Sequence, residues 1–346
     1  MIKLRGKYIF GIIGSVGADS ALAGADYPGI HTVTRGNFSA VVVDSDIVDY
    51  KNMERKCLTE LLRKHQEVIE SLMGNGCVVI PMKLGTIVVD EDEVGSVLEK
   101  SASLLSDIMG KVNGKIEIDI VATWSDFSAI LKSISMEKEI QEFKEKLLAS
   151  SAKITAEDQQ KAGLMVMQGL VRKREEYSRR IQDVLIPAST EIKINDVTDE
   201  QMVLNSAFLI NKCGQELFDA EVEKINAELD GELNFKYVGP LPCYSFYTIE
   251  VDKIRFESVD RARVKLGLGS SATKDEIKSA YKVKASAVHP DKNPGISGIE
   301  MEFDETNKAY KMLMDYCAAS DLSFKNTQYC FLEKEVNENS LLVKVR

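Results

Sequence analysis

The stretch ATKDEIKSAYKVKASAVHPDKNPG (272–295) decides how the C-terminal part of this chain folds. Its apolar residues recur at helical spacing, which predicts a helix with one face turned to a core. That face carries Ile277, Ala280, Tyr281, Ala285 and Val288, interrupted by Lys284, while Lys274, Lys278 and Lys282 follow another face at i, i+4 and i+8. Thr273 is suited to cap the helix start, and Pro290 forces the chain out of helical geometry at His289.

A second helix is predicted in EMEFDETNKAYKMLMDYC (300–317), where Phe303, Thr306, Tyr310 and Leu313 recur every three or four residues. Two antiparallel helices would leave the tripeptide His289-Pro290-Asp291 exposed in their connection. The tripeptide has four interpretations: a catalytic pair, half of a metal site, a recognition element, or only a polar turn.

The rest of the sequence supplies no partners for the first two interpretations. There are only three histidines and six cysteines, without the paired spacing of a zinc site, so neither a metal site nor catalytic residues are expected. GIIGSVG (11–17) lacks the G-x-G-x-x-G spacing that opens a dinucleotide-binding helix, so no cofactor is expected either. The sequence therefore favours a protein that is not an enzyme.

Composition limits the partners and the compartment. A formal net charge of −10 argues against nucleic-acid binding by the whole chain. No stretch approaches the roughly 20 uninterrupted apolar residues of a membrane-spanning helix. The scattered cysteines and the lack of a cleavable signal pattern at the N-terminus lead us to expect a cytoplasmic protein with no membrane partner.

The order of predicted elements indicates an α+β fold with several parts. Residues 1–125 have the order β-β-α-β-α-β, typical of a ferredoxin-like domain. The remaining parts are a helical connector (126–187), a second small α+β unit (188–255), an all-α helical hairpin (256–318) and a β-like tail (319–346). The connector is predicted either to pack on the domains or to form a coiled-coil arm. The tail is left open between a separate segment and a strand partner of the second unit, and in the latter case Ser320–Asn326 would be the return linker.

The helical hairpin closely resembles a J-domain, the DnaJ-type co-chaperone module. The matching residues are Leu266-Gly267, Ala272-Thr273, Glu276-Ile277-Lys278, Ala280-Tyr281, His289-Pro290-Asp291-Lys292, Phe303, Asn307, Ala309-Tyr310 and Leu313. The resemblance implies that His289, Pro290 and Asp291 engage an Hsp70 chaperone of the DnaK type, with added electrostatic contact from Lys278 and Lys282. The chain departs from the family where Arg263 replaces a common tyrosine, and where Val283, Ser286 and Ala287 replace basic or large apolar residues.

The N-terminal 250 residues resemble the GvpL/GvpF family of gas vesicle proteins. The resemblance is carried by KYIFGII (7–13), GNFSAVVV (36–43), HQEVIESLMGNGCVVIPMKLGTIV (65–88) and VGPLPCYSFYTIEV (238–251). His65 matches a family histidine, although its place on the apolar stripe of a helix already fits a core residue. Leu84, Leu241 and Cys243 stand where the family usually has phenylalanine, tryptophan and proline.

Together the two resemblances imply an accessory protein of gas vesicle formation. It would bind the hydrophobic shell protein GvpA and other gas vesicle proteins, and would recruit Hsp70 through its J-domain. Two alternatives stay open at this point. The chain is either a minor structural component of the vesicle with a degenerate J-like hairpin, or an enzyme whose site lies in the ferredoxin-like part.

Overall fold

Two stretches that are far apart in sequence, residues 1–111 and 247–346, form the first unit of the structure, and residues 112–246 form the second. The structure, a computed structural model, describes residues 5–22, 27–46, 53–149, 154–322 and 327–345. Its architecture is mixed α/β with antiparallel sheets.

The N-terminal part of the first unit is an antiparallel sheet with helices. Its strands are β1 (Arg5–Gly14), β2 (His31–Arg35), β3 (Phe38–Asp46), β4 (Val79–Pro81) and β5 (Ile87–Val88), and its helices are α1 (Ala18–Ala21), α2 (Arg55–Gly74) and α3 (Glu91–Lys100). The sheet has the order β2-β3-β1-β4, with β5 also paired to β1. A further helix, α4 (Ala102–Val112), leads towards the second unit. The apolar runs of β1 and β3 are buried almost throughout, as expected for central strands.

His65 belongs to this core. It lies on the buried face of α2, where its Nδ1 is 2.7 Å from the Tyr8 hydroxyl, and its ring is in contact with Phe10. Burial lowers the pKa of His65 to about 4, against a smaller opposing effect of hydrogen bonding to the Met82 backbone. The imidazole is therefore neutral at physiological pH, and it accepts a hydrogen bond from Tyr8 inside the core.

The second unit is a four-stranded antiparallel sheet covered by helices. Its elements are β6 (Lys115–Trp124), α5 (Phe127–Ser135), α6 (Lys138–Ala149), α7 (Ala156–Leu185), β7 (Glu191–Ile194), β8 (Met202–Asn211), α8 (Gln215–Glu228) and β9 (Leu233–Leu241), followed by a short helix, α9 (Tyr244–Tyr247). The strand order is β7-β8-β6-β9.

This arrangement differs from the sequence-based expectation in one strand. The segment Lys115–Trp124 was expected to close a ferredoxin-like domain over 1–125, but it pairs with β8 and β9 along its length. The ferredoxin-like arrangement is therefore not confirmed. The physical reason is that an alternating apolar strand of this kind fits the centre of either sheet, and only its distant partners select one.

The segment expected to be a connector supplies helices of the second unit. In α7, Ile181 and Leu185 are buried, and Tyr177 meets the Trp124 ring edge-on at 5.0 Å. Further towards the N-terminus of α7, the side chains of Leu164 and Met167 are exposed. The buried residues of α7, Gly169, Leu170, Ile181 and Leu185, therefore run from the middle of the helix to its C-terminal end.

The C-terminal part of the first unit is a helical insertion between two paired strands. Its elements are β10 (Ile249–Lys253), α10 (Phe256–Leu266), β11 (Ser271–Ala272), α11 (Lys274–Ala287), α12 (Ile299–Asp321), β12 (Tyr329–Cys330), α13 (Glu333–Glu338) and β13 (Leu341–Val345). Strand β10 pairs with β13 in antiparallel register, and β11 pairs with β12. We call the first pair the β10–β13 ladder. It holds both ends of the segment that contains α10, α11 and α12.

The tail after α12 completes the core of this insertion. Its buried side chains pack in one cluster with those of the three helices. The cluster includes Val259, Leu266, Ile277, Leu313, Tyr316, Tyr329, Phe331, Val336 and Leu342. The Tyr316 hydroxyl also donates to the Cys330 carbonyl at 2.6 Å. The helical hairpin and the tail, whose placement the sequence leaves open, therefore share one core. Ser320 still lies in α12, and residues 323–326 of the expected return linker lie outside the described residues.

We predict that Phe331→Ala destabilises the insertion by about 3 kcal/mol, because a buried phenylalanine leaves a cavity when it is truncated. Its neighbour Leu332, which is 57% exposed, offers a matched control, and Leu332→Ala is expected to change the free energy of unfolding by less than about 0.5 kcal/mol. Hydrogen exchange of α12 amides measures both effects. Equal protection in the two variants would contradict the shared core.

We also predict that the first unit loses stability as the pH falls from about 6.5 to about 4. The unfolded chain binds a proton at His65 in this range while the folded chain does not, because the folded pKa is about 4. The full effect is about 3 kcal/mol. Hydrogen exchange of β1 amides across this range measures it. His65→Gln should flatten the pH dependence, whereas a similar flattening by His31→Gln, at a half-buried histidine outside this core, would contradict the assignment.

Candidate functional site

The start of α11 is fixed by a reciprocal cap. The Thr273 hydroxyl accepts from the Glu276 backbone N–H at 3.1 Å, and the Glu276 carboxylate accepts from the Thr273 backbone N–H at 2.7 Å. Asp275 also lies in the first turn, where the helix dipole favours negative charge. The cap predicted from the sequence at Thr273 is confirmed, and it determines which faces of the helix the later residues occupy.

Helices α11 and α12 are joined by aromatic packing and a buried aliphatic residue. Ile277 is fully buried, and the rings of Tyr281 and Tyr310 stack with their centroids 4.3 Å apart. The Tyr281 hydroxyl donates to Asn307 Oδ1 at 2.8 Å. These contacts hold the two helices against each other on either side of their connection.

The tripeptide 289–291 forms a tight turn directly after α11. His289 has an extended backbone conformation, and Pro290 begins a 3₁₀ turn that ends at Lys292. The His289 Nδ1 accepts from the Asp291 backbone N–H at 3.2 Å, which leaves the Nε2–H as a donor. The imidazole also meets the Phe303 ring edge-on at 5.1 Å. Both the backbone and the ring of His289 are therefore held in one orientation.

Asn293 clamps this turn from its C-terminal side. Its side-chain amide donates to the carbonyls of Ala287 at 2.8 Å and His289 at 3.0 Å, so it ties the last residues of α11 to the turn. The Lys292 ammonium donates to the Ser286 hydroxyl at 2.6 Å. Asn293 was not predicted as a site residue. The signal in the sequence was its position just after the turn, because asparagine side chains commonly bond nearby backbone groups.

The polar groups of the turn face solvent. The Asp291 side chain is 90% exposed and that of His289 is 41% exposed, with the Asp291 carboxylate 3.8 Å from Nδ1. A fixed imidazole N–H and a nearby exposed carboxylate offer one donor and one acceptor to an approaching surface. The arrangement suits recognition, since no nucleophile is placed beside the histidine among the contacts of the described residues.

Two of the three lysines predicted on one face of α11 remain available. Lys278 and Lys282 are exposed, and the Lys278 ammonium is 3.9 Å from Asp275. Lys274 instead forms an ion pair with Asp321, which raises its pKa, and its ammonium also lies over the Tyr329 ring. The structure therefore places Lys278 and Lys282 on the same exposed helix that leads into the turn, and it assigns Lys274 to packing against the tail.

The strongest site of another kind is a buried acidic pair in the second unit. Burial raises the pKa of both Glu117 and Asp119, and the Glu117 carboxylate accepts from the Ser245 N–H and hydroxyl, each at 2.8 Å. Burial also raises the pKa of the nearby Cys243 thiol to about 12, which keeps it protonated and unreactive at neutral pH. Glu117 thereby fastens the segment after β9 to β6.

Two observations on the described residues concern metal ions and membranes. Within the described residues, no group of three or more His, Cys, Asp or Glu side chains is arranged to hold a metal ion. None of the helices in the described ranges combines the length and the apolar character needed to span a membrane.

Comparison with known proteins identifies both parts of the chain. The family described as "Gas vesicle synthesis protein GvpL/GvpF" matches residues 6–248, and the DnaJ domain matches residues 265–318. The chain is 22% identical over 246 residues to Gas vesicle protein F of Dolichospermum flosaquae, covering 70% of this chain and 98% of the relative. It is 58% identical over 48 residues to the chaperone protein DnaJ of Prosthecochloris aestuarii, covering 14% of this chain and 12% of that chaperone.

Solved structures show the same fold for the gas vesicle part. The crystal structure of GvpF from Anabaena sp. PCC7120 superposes with a TM-score of 0.59 at 24% identity, covering 70% of this chain and 97% of that one. GvpF from Microcystis aeruginosa gives a TM-score of 0.56 at 19% identity, covering 69% and 98%. Both resemblances expected from the sequence are confirmed. The GvpL/GvpF family match spans more than half of this chain. The chain therefore belongs to the GvpL/GvpF family of gas vesicle proteins and carries a DnaJ domain near its C-terminus.

Proposed function

We propose that this chain is an accessory protein of gas vesicle formation that binds the shell protein GvpA and recruits a DnaK-type Hsp70 through its J-domain. One observation carries the proposal. An exposed, conformationally fixed His289-Pro290-Asp291 turn lies between two packed helices on a chain of the GvpL/GvpF family. The protein acts by binding, and its ATP-dependent work is done by the chaperone.

The J-domain supports the chaperone half of this proposal. The matched segment of DnaJ covers only 12% of that relative, so the remainder of a DnaJ chaperone has no counterpart in the match. In this chain the DnaJ domain is instead joined to the gas vesicle part, residues 6–248. We assign His289, Pro290 and Asp291 as the contact that triggers ATP hydrolysis in Hsp70. Lys278 and Lys282 steer an acidic surface of Hsp70 towards that contact.

Family membership supports the client half. A gas vesicle shell needs subunits with large hydrophobic surfaces, and such surfaces aggregate when they are exposed before assembly. A protein that holds the subunit and an Hsp70 at once raises the local concentration of chaperone at the client. This role places the protein in the cytoplasm and at the growing gas vesicle, together with other gas vesicle proteins.

A second candidate function is that of a minor structural component of the vesicle with a J-like hairpin that no longer acts on Hsp70. The tail favours it, because Phe331, Val336 and Leu342 make the hairpin an integral part of the first unit rather than a detachable module. The two candidates differ in one measurable property. A purified full-length chain that retains both GvpA and DnaK in one pull-down supports the chaperone role, and incorporation into vesicles without DnaK binding supports the structural one.

We predict that His289→Gln abolishes stimulation of the ATPase of the cognate DnaK. Glutamine cannot present the fixed Nε2–H that the bond to the Asp291 N–H and the Phe303 contact position. Retention of GvpA in a pull-down should be unchanged. Single-turnover ATPase assays measure the loss, and His31→Gln serves as the control. Full stimulation by the His289→Gln variant would rule out the chaperone role.

We also predict that replacing Lys278 and Lys282 by glutamate raises the concentration needed for half-maximal stimulation by roughly tenfold at low salt. The difference should shrink as salt is raised, because exposed charges are screened over about 10 Å at 0.1 M ionic strength. Replacing Lys311 of α12 and Lys334 of α13, both at exposed positions, by glutamate is the control for the same change in net charge. A defect of the same size at every salt concentration would point to loss of packing instead of loss of electrostatic attraction.

A further inference from the structure

The outer surface of α11 carries a second line of residues beside its lysines. Ser279, Val283 and Ala287 follow one another at i, i+4 and i+8, so they lie along one side of the helix. All three are exposed and uncharged, and the side chain of Val283 is 71% exposed. Lys282 is the neighbour of Val283 in sequence and lies about 100° away around the helix. The exposed surface of α11 therefore has an uncharged line that contains Val283, with Lys282 on one side of it and the exposed Lys284 on the other.

Folding does not account for Val283. Its side chain takes no part in the core cluster that Ile277 and Leu313 form with the tail. A β-branched residue at an exposed helical position costs roughly 0.5 kcal/mol relative to alanine, because its side chain loses rotamer freedom. Stability alone would favour alanine or lysine at this position. A single exposed valine is ordinary by itself, and what distinguishes Val283 from Val264 is its place on the helix that leads into the turn. There it is available for a contact outside the monomer.

The position of Val283 places this contact beside the turn. Val283 lies four residues before the end of α11 at Ala287, about 6 Å along a helix that rises 1.5 Å per residue, and His289 follows two residues later. The same end of the hairpin exposes two more apolar side chains, Ile296 after the turn and Met301 in the first part of α12. A partner that covers the turn and Lys282 therefore also covers Val283, and its surface must accept an apolar group there.

We propose that Val283 is a specificity-determining contact for a dedicated Hsp70. The Hsp70 that this chain uses presents an apolar spot to Val283, bordered by acidic side chains that face Lys278 and Lys282. The inference rests on the proposed function and adds the chemistry of the partner surface. Binding of an Hsp70 that has an acidic group at that spot is disfavoured, because the carboxylate would lose its hydration against Val283 without gaining a hydrogen bond or an ion pair.

The test compares Val283→Ser and Val283→Lys with the unchanged full-length chain. Stimulation of single-turnover ATP hydrolysis is measured with each purified DnaK-type Hsp70 of the source organism and with a DnaK from an unrelated bacterium. Val264 provides a matched control, since it is a 60% exposed valine in α10 of the same helical insertion, and Val264→Ser and Val264→Lys repeat the chemistry away from α11. Circular dichroism and thermal unfolding verify that each variant is folded.

We expect Val283→Ser to raise the concentration for half-maximal stimulation of one source Hsp70 by about fivefold to tenfold, the effect of losing a buried apolar contact. Val283→Lys should weaken that pairing further and improve stimulation of the unrelated DnaK, and both Val264 variants should leave both pairings unchanged. Changes of less than twofold at Val283, with His289→Gln still inactive, overturn this inference alone. Full activity of His289→Gln overturns the proposed function itself. A defect in GvpA retention, with normal stimulation, assigns Val283 to the client and also overturns the inference.

Discussion

Five residue pairs between β10 and β13, from Ile249 opposite Val345 to Lys253 opposite Leu341, hold the two ends of the helical insertion side by side. The bond from the Ile254 N–H to the Ser340 carbonyl, at 2.8 Å, continues the pairing into the insertion. A segment whose ends already meet can be inserted without opening the surrounding fold. The ladder also returns the tail to the helices, so Phe331 becomes part of their core.

The recognition turn depends on this ladder through a short series of contacts. The tail buries Tyr316, and its Tyr329 hydroxyl donates to the Asp321 carboxylate at 2.8 Å. Asp321 in turn pairs with Lys274, which anchors the N-terminal end of α11 against the C-terminal end of α12. The stacked rings of Tyr281 and Tyr310 then hold the middle of the hairpin. Only with both helices in place does Phe303 meet the imidazole of His289. The turn itself adds local bonds, so its shape is fixed both by its own residues and by packing that extends to the tail.

Local sequence signals predicted this site well. The cap at Thr273, the helical period of α11 and the break at Pro290 each act within a few residues, and each is present as expected. The partners of strands were not predictable in the same way. The residues of Lys115–Trp124 do not predict that the strand pairs with β8 and β9, because alternating apolar residues suit either sheet. Lys274 is a second example. Its spacing places it on the same helix face as Lys278, but its ion-pair partner, Asp321, lies 47 residues away and could not be predicted from local sequence.

The segment between the two family matches is a paired strand followed by a helix. The gas vesicle match ends at residue 248 and the DnaJ match begins at residue 265, and the residues between them form β10 and most of α10. Strand β10 is tied to the first sheet as well, since the Lys83 N–H donates to the Ile249 carbonyl at 2.7 Å. A flexible linker would let the turn sample many directions and dilute the chaperone around the client. A paired strand instead fixes the DnaJ domain relative to the sheet of β1–β5, so the direction in which the His289 turn faces is set by the fold.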